Sequence, residues 1–197
     1  MLRIAITRPD VFEGEAAMIV DRLARFDLIH IRKPGASREV IASLLDALPA
    51  SCYNRLVLHD HYDLVREYHL RGIHLNHRNT TPTWVDPTAT GRGCPLWRSV
   101  GGTPNEPSIS RSCHSLEEVA HYKERCDYVF LSPIYDSISK QGYHSAFTTE
   151  DLLQARDERI IDAKVIALGG VSEEKIPEIQ ILGFGGYAML GAAWSAM

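Results

Sequence analysis

Two basic residues of this 197-residue sequence, Arg32 and Lys140, are candidates to bind an anion. Arg32 and Lys140 carry the charge that neutralises a phosphate, the guanidinium through paired N–H donors and the ammonium as a point charge. Ser137 and Ser139 add hydroxyl donors beside Lys140. These residue types predict a site for a phosphorylated small molecule.

A glycine pair forms a second candidate anion site. Gly169 and Gly170 let backbone N–H groups approach an anion closely, and Ser172 stands at a predicted helix start whose dipole favours negative charge. A tight turn is the alternative interpretation of the pair.

Short apolar runs alternate with stretches of helical periodicity, which indicates parallel βαβ units. The predicted strands are 2–7, 28–31, 56–59, 72–75, 108–112, 128–131, 164–167 and 186–190. Two apolar helix faces are predicted from Ala16, Ile19, Val20 and Leu23, and from Val40, Ile41, Leu44, Leu45 and Leu48. Ser115 with Glu118 predicts a capping box, and Ser172 is expected to cap a later helix.

Eight such repeats favour a small closed TIM (β/α)8 barrel over an open doubly wound sheet. The first strand is not followed by G-x-G-x-x-G, which argues against a dinucleotide-binding sheet. We expect one barrel domain over residues 1–197, an irregular fourth helix region within 76–107, and a missing or short last helix.

Barrel sites form at the C-terminal ends of the strands, so the side chains that follow each strand should meet there. Loops after strands seven and eight often bind phosphate, which favours a functional interpretation of Gly169, Gly170 and Gly191. The remaining ring is His30, Arg32, Lys33, His59, Asp60, Asn76, His77, Ser112, His114, Ser132, Ser137, Ser139, Lys140 and Leu190. Asp60 has a helix-capping alternative. His74, inside a strand, is predicted to be a hydrogen-bonded core or rim histidine.

Composition narrows the partners to small molecules. The net charge is −4 and no dense Lys/Arg run appears, which argues against nucleic-acid binding. No apolar stretch is long enough to cross a bilayer, and the N-terminus does not read as a signal peptide. The four scattered cysteines form no C-x-x-C pair, so we expect reduced thiols in a cytoplasmic protein. The oligomeric state stays open, a homo-oligomer included.

Segments along nearly the whole chain, in the same order, resemble the thiamin-phosphate synthase (thiamin-phosphate pyrophosphorylase) family and its relatives, the TenI-type thiazole tautomerases. The matching segments are 29–35, 58–60, 72–75, 110–118, 127–130, 133–140, 167–170 and 186–193. The resemblance implies a transferase of thiamin biosynthesis. In that reaction hydroxymethylpyrimidine pyrophosphate loses pyrophosphate with the help of Mg²⁺, and thiazole phosphate captures the pyrimidine cation.

The resemblance also implies a role for each position of the site. Arg32, Ser112 and Lys140 would hold pyrophosphate, with Ser137 and Ser139 in place of two threonines. His30 would replace the glutamine that reads the pyrimidine. His59 and Asp60 match an Asn-Asp pair, with Asp60 as a magnesium ligand. Gly170, Leu190 and Gly191 would contact the thiazole phosphate.

Two departures from the family pattern affect the metal and pyrophosphate half of the site. The second metal-binding aspartate appears as Asn79, a weaker oxygen ligand for Mg²⁺. Pro34 takes the place of a lysine, for which neighbouring Lys33 is a candidate substitute.

Two alternatives to the synthase remain. Residues 111–118 reproduce the tautomerase motif Arg-Ser-x-His-Ser-Leu-Glu-Glu, which implies metal-free isomerisation of the thiazole with His114 as general acid/base. A catalytically silent regulator that binds thiazole phosphate is the other alternative, motivated by Asn79 and Pro34.

Overall fold

Eight parallel strands close into a barrel in sequence order, with β1 paired to both β2 and β8. The computed structural model describes residues 1–77, 107–136 and 145–194. The strands are β1 (Leu2–Ile6), β2 (Leu28–Ile31), β3 (Leu56–Leu58), β4 (Gly72–Leu75), β5 (Ser108–Cys113), β6 (Tyr128–Leu131), β7 (Val165–Ala167) and β8 (Gly186–Met189). The predicted TIM-type barrel is confirmed, and every predicted strand forms with its ends within one residue.

Helices cover the outside of this barrel. They are α1 (Glu15–Arg22), α2 (Arg38–Asp46), α3 (Asp63–Glu67), α4 (Leu116–Tyr122), α5 (Thr149–Asp157), α6 (Ile176–Ile181) and α7 (Gly191–Trp194). Short 3-10 turns span Ala50–Arg55, Lys123–Arg125 and Glu173–Lys175. Within the described residues the last helix is α7, with four residues, whereas most of the predicted irregular region, 78–106, lies outside them. In the described ranges no helix has the length and apolarity needed to cross a bilayer.

Local sequence signals explain where several helices begin. The Ser115 hydroxyl accepts from the Glu118 backbone N–H at 3.2 Å, as the predicted cap requires. The Glu118 carboxylate accepts from the backbone N–H of His114, one residue earlier than in a standard capping box. The prediction for Ser172 is wrong, because its side chain makes no cap hydrogen bond.

The apolar core forms two layers, one inside the barrel and one between strands and helices. Two residues assigned to the predicted helix faces, Val20 and Val40, are instead exposed, because each face is narrower than its run of apolar residues. Successive strand residues face opposite sides, so the residue two positions after an inner apolar one also faces inward. His30 follows Leu28 and His59 follows Val57 in this way, which places polar side chains at the C-terminal end of the barrel interior.

A buried ion pair ties the loop after β1 to the end of β2. Lys33 Nζ donates to the Glu15 carboxylate and, at 2.7 Å each, to the carbonyl oxygens of Arg8 and Asp10. Burial raises the pKa of Glu15 and lowers that of Lys33, while each partner's charge opposes these shifts. The three acceptors use all three donors of the ammonium. The proposed substitution of Lys33 for the lysine replaced by Pro34 is therefore wrong.

Replacing Lys33 by Met should lower the free energy of unfolding by about 3–5 kcal/mol, because Glu15 would stay buried without its cation. Urea unfolding followed by circular dichroism measures the loss. The double variant with Glu15→Leu should recover most of it. Lys175→Met, which removes the exposed pair with Glu178, serves as the control and should cost less than about 1 kcal/mol. A Lys33→Met loss as small as the control's would contradict the role given to the pair.

Candidate active site

Three histidines from adjacent parts of the sheet meet inside the C-terminal end of the barrel. His30 lies on β2, His59 directly follows β3, and His74 lies on β4. Their relative exposures are 0%, 5% and 0%. One nitrogen from each ring lies within 4.8 Å of the other two. The structure thus joins two predicted site residues, His30 and His59, to His74.

Hydrogen bonds connect this cluster to neighbouring strands. His30 Nδ1 lies 3.0 Å from His59 Nε2, and His30 Nε2 lies 2.7 Å from the Tyr128 hydroxyl on β6. His74 Nδ1 lies 2.9 Å from Ser110 Oγ and its Nε2 lies 2.8 Å from Ser112 Oγ, both on β5. The prediction that His74 is a hydrogen-bonded interior histidine is confirmed.

Burial keeps His30 and His74 uncharged. It lowers the pKa of His30 well below its ordinary value, with the neighbouring His74 as a further cause. It lowers the pKa of His74 to about 3, helped by the positive charges of Arg111 and Arg32. Burial also raises the pKa of Tyr128, so the phenol keeps its proton. The interior of the site therefore offers neutral donors and acceptors, which suit an uncharged aromatic ring.

Arg32 supplies positive charge next to the cluster. The Thr7 hydroxyl at the end of β1 accepts from the backbone N–H of Arg32 at 2.9 Å and lies 3.3 Å from its carbonyl oxygen. This clamp fixes the backbone from which the half-buried Arg32 side chain extends. Asp60 is also half-buried and follows His59. Tyr62, not Asp60, occupies the N-cap position of α3, so the capping alternative for Asp60 is wrong.

His114 lies at the exposed end of β5. Its Nδ1 is 3.1 Å from the carbonyl oxygen of Ser132 and 3.3 Å from the Ser132 hydroxyl. A carbonyl oxygen only accepts, so this contact assigns the proton of the neutral ring to Nδ1. Nε2 then carries the lone pair, which is the state a general base requires.

The glycine pair after β7 supports the loop after β6. Gly169 and Gly170 have φ of 94° and 63°, which favours glycine. A Cβ on Gly170 would lie 2.4 Å from the Asp136 carbonyl oxygen. The backbone N–H of Tyr135 donates to the Gly169 carbonyl at 3.1 Å. The tight-turn interpretation therefore holds, and the turn stands at the strand ends where a phosphate site was also predicted.

The remaining predicted residues divide into two groups. Around the strand ends, Asn76 is half-buried, Ser132 is buried, and His77, Leu190 and Gly191 are exposed. A Cβ on Gly191 would meet no atom within 4 Å, so this part of the rim has room for a ligand. Ser137, Ser139, Lys140 and Asn79 lie outside the described residues.

Sequence reasoning missed Tyr128, Ser110 and Thr7 as partners of the site. Tyr128 and Ser110 face the barrel interior by the same alternation that places His30 there. Extending the inward-facing set along the whole of β5 and β6 would have found them. No residue pattern signalled Thr7, whose role comes from the pairing of β1 with β2.

Comparisons with known proteins agree with this geometry. A family model described as thiamine monophosphate synthase matches residues 101–193. The crystal structure of thiamine phosphate pyrophosphorylase from Bacteroides thetaiotaomicron is 35% identical, with a TM-score of 0.79, and the match covers 98% of this chain and 85% of that one. The Pyrococcus furiosus thiamine phosphate pyrophosphorylase shares the fold at 17% identity and a TM-score of 0.68, covering 97% of this chain and 86% of that one.

A thiamine-phosphate synthase from Phocaeicola vulgatus shows the same likeness by sequence. It is 28% identical over 141 aligned residues, and the match covers 68% of this chain and 60% of that protein. This chain therefore matches less than two thirds of that relative's length.

Replacing His74 by Gln should weaken the pH dependence of stability. The His74 pKa is about 3 in the folded protein and about 6.5 when unfolded, so only the unfolded chain gains this proton near pH 5. The stability that His74 contributes is complete above the pKa of the unfolded chain, and it is lost as the pH falls toward the pKa of the folded protein. Between pH 7 and pH 5, wild type should lose about 2 kcal/mol more unfolding free energy than His74→Gln.

Urea unfolding at the two pH values measures this difference. Ser110→Ala removes one hydrogen-bond partner of His74 but keeps the buried ring, so it should retain most of the wild-type pH dependence. Equal losses in wild type and His74→Gln would show that His74 is protonated in the fold.

Proposed function

This chain belongs to the thiamine monophosphate synthase family, and from that premise we propose that it joins hydroxymethylpyrimidine pyrophosphate to thiazole phosphate. The products are thiamine phosphate and pyrophosphate. The main support is the 35% identity across 85% of a thiamine phosphate pyrophosphorylase, on a barrel that brings His30, Arg32, His59 and Asp60 to the C-terminal ends of β2 and β3. The scattered free cysteines fit a cytoplasmic enzyme.

The proposed reaction asks the protein to stabilise charge. The bond between the pyrimidine methylene and the pyrophosphate oxygen breaks first, and its electron pair leaves with pyrophosphate. Arg32 and Lys140 would hold that anion, with Ser112, Ser137 and Ser139 as hydroxyl donors. The thiazole nitrogen then forms the new C–N bond, so neither step needs a proton from the protein.

The neutral rings of His30 and His74 suit the positive charge that the reaction creates on the pyrimidine. Positive charge develops on the pyrimidine as pyrophosphate leaves, and a neighbouring imidazolium would oppose it. The depressed pKa of His30 removes that repulsion, and a His30 nitrogen that binds the pyrimidine would exchange His59 or Tyr128, its partners in this structure, for the substrate. We assign His30 and His59 to the pyrimidine, and Gly170, Leu190 and Gly191 to the thiazole phosphate.

The described residues fit a magnesium ion in a site completed by substrate. Asp60 offers a carboxylate beside the strand end that carries Arg32, and Mg²⁺ often takes one or two carboxylates together with substrate phosphates. Asp60 would hold the ion, with Asn79 as the second candidate ligand. When bound, Mg²⁺ neutralises charge on the pyrophosphate.

Purified protein should form thiamine phosphate from the two substrates only when Mg²⁺ is present, because metal and cations together lower the cost of releasing pyrophosphate. Oxidation of the product to fluorescent thiochrome measures the rate. Lys140→Ala should lower kcat/KM by about 100-fold or more if Lys140 stabilises the departing anion.

Lys164→Ala is the matched control, because Lys164 precedes β7 and so lies at the opposite face of the barrel. It should keep wild-type kcat/KM. Full activity without a divalent metal, or an unaffected Lys140→Ala variant, would contradict this mechanism. Folded protein that binds thiazole phosphate but catalyses neither thiamine phosphate formation nor thiazole isomerisation would be the silent regulator.

The hydrogen bonding of His114 supports a second candidate function. With Nδ1 assigned the proton by Ser132, Nε2 of the exposed imidazole carries the lone pair that a general base uses. A thiazole tautomerase needs this kind of group and no metal. Proton exchange into thiazole phosphate, followed by NMR in deuterated buffer, tests this candidate.

Exchange should persist with a chelator present and fall by about 100-fold or more in His114→Asn, which removes the general base. His121→Asn, an exposed histidine on the following helix α4, is the control and should exchange at the wild-type rate. Wild-type exchange in His114→Asn would rule out the tautomerase.

A further inference from the structure

The three-histidine cluster has a chemical capacity that the transfer reaction does not use. His30, His59 and His74 bring together three imidazoles, and one nitrogen of each lies within 4.8 Å of the others. Imidazole is a good ligand for Zn²⁺ and other late first-row ions, whereas Mg²⁺ prefers oxygen. The cluster and Asp60 therefore differ in the kind of cation that they attract.

The nitrogen spacing is close to that of a tetrahedral metal site. Two nitrogens bound to one tetrahedral Zn²⁺ lie about 3.3 Å apart, given Zn–N bonds of about 2.0–2.1 Å. His30 Nδ1 and His59 Nε2 lie 3.0 Å apart, so an ion bound by both needs a small separation of the rings and replaces the proton of their hydrogen bond, which moves to the other nitrogen of the ring that carried it. His74 would turn one nitrogen from a serine hydroxyl toward the ion.

We propose that His30, His59 and His74 form a binding site for a late first-row divalent ion such as Zn²⁺. The fourth position is left to water. Three histidines with an open fourth position make up a known type of zinc site in proteins. The site is distinct in ligand chemistry from the carboxylate assigned to Mg²⁺.

The surroundings of the cluster support binding in two ways. The Tyr128 hydroxyl contacts His30 Nε2, so it fixes the ring orientation and leaves Nδ1 to the ion, as outer-shell partners of metal ligands do. The burial that lowers the pKa of His30 and His74 also keeps both rings neutral at neutral pH, so each ring has one nitrogen with a lone pair for a metal.

Nearby cations set the opposing cost. The charges of Arg32 and Arg111 act on His74 and would repel a dication, whereas the carboxylate of Asp60 follows His59 in the chain. His59 is 5% exposed, which gives the cluster contact with the open end of the barrel. We expect an ion that is retained in dilute protein but removed by a strong chelator.

Cobalt titration of the purified full chain, first treated with chelator, tests the site. Co²⁺ bound by three imidazoles in a near-tetrahedral site absorbs visible light strongly, unlike hexa-aquo Co²⁺. The expected result is one strongly absorbing Co²⁺ per chain, displaced by one equivalent of Zn²⁺ and unaffected by excess Mg²⁺. No such absorption with wild-type protein overturns the proposal.

Substitutions locate the ligands. His59→Asn and His30→Gln should each weaken Co²⁺ binding by more than about 10-fold, since removing a ligand costs at least as much as removing its outer-shell partner. His69→Asn is the matched control and should bind as wild type. His69 is exposed, and its φ of 53° is one that Asn tolerates. Unchanged binding in both site variants, or equal weakening in the control, overturns the proposal.

If circular dichroism shows that a variant does not fold, X-ray absorption at the zinc edge of the wild-type protein still tests the site. Three imidazoles around Zn²⁺ in wild-type protein support the site, and fewer than three overturn it. None of these measurements uses a substrate, so their outcome is independent of whether the chain makes thiamine phosphate.

Discussion

The hydrogen-bonded contact between His30 and His59 lies in the barrel interior, where the two side chains are 0% and 5% exposed. A buried imidazole is tolerated there only if it is uncharged and its ring nitrogens are paired. Barrel closure meets this condition by bringing strands distant in sequence into contact. β5 supplies Ser110 and Ser112 to His74, and β6 supplies Tyr128 to His30. The polar interior is thus stable only as a network, which joins the chemistry of the site to the folding of the barrel.

The same constraint separates neutral groups from charged ones along the barrel axis. The histidines lie in the interior, while Arg32 and Asp60 follow their strands at half-buried positions where solvent can screen their charge. Lys33, which follows β2 by two residues, shows that a lysine near a strand end need not reach solvent. It is buried among three acceptors and serves the loop after β1 instead of a ligand. A basic residue next to a strand end is therefore not by itself a phosphate ligand.

Most of the fold was predictable because alternating strand and helix patterns are local. The eight strands and the cap at Ser115 follow from residues close together in sequence. The site was predictable at the level of which strand ends meet, since His30 and His59 come together as expected. The errors concern contacts across the fold. The pairing of Lys33 with Glu15 and the clamp at Thr7 depend on where loops pack, which no local pattern records.

The departures from the family pattern also make sense as a matter of charge. By the resemblance, His30 and His59 stand where an amide side chain is usual, and a neutral imidazole, like an amide, combines an N–H donor with an acceptor. Burial keeps His30 uncharged, so exchanging an amide for it adds no positive charge beside a developing pyrimidine cation. The exchange does change affinity for metals, because an imidazole nitrogen binds late transition metals far better than an amide oxygen does. His30 thus adds no charge to the pyrimidine pocket when no metal is bound, whereas an ion in the proposed transition-metal site, which uses His30 and His59, would add positive charge there.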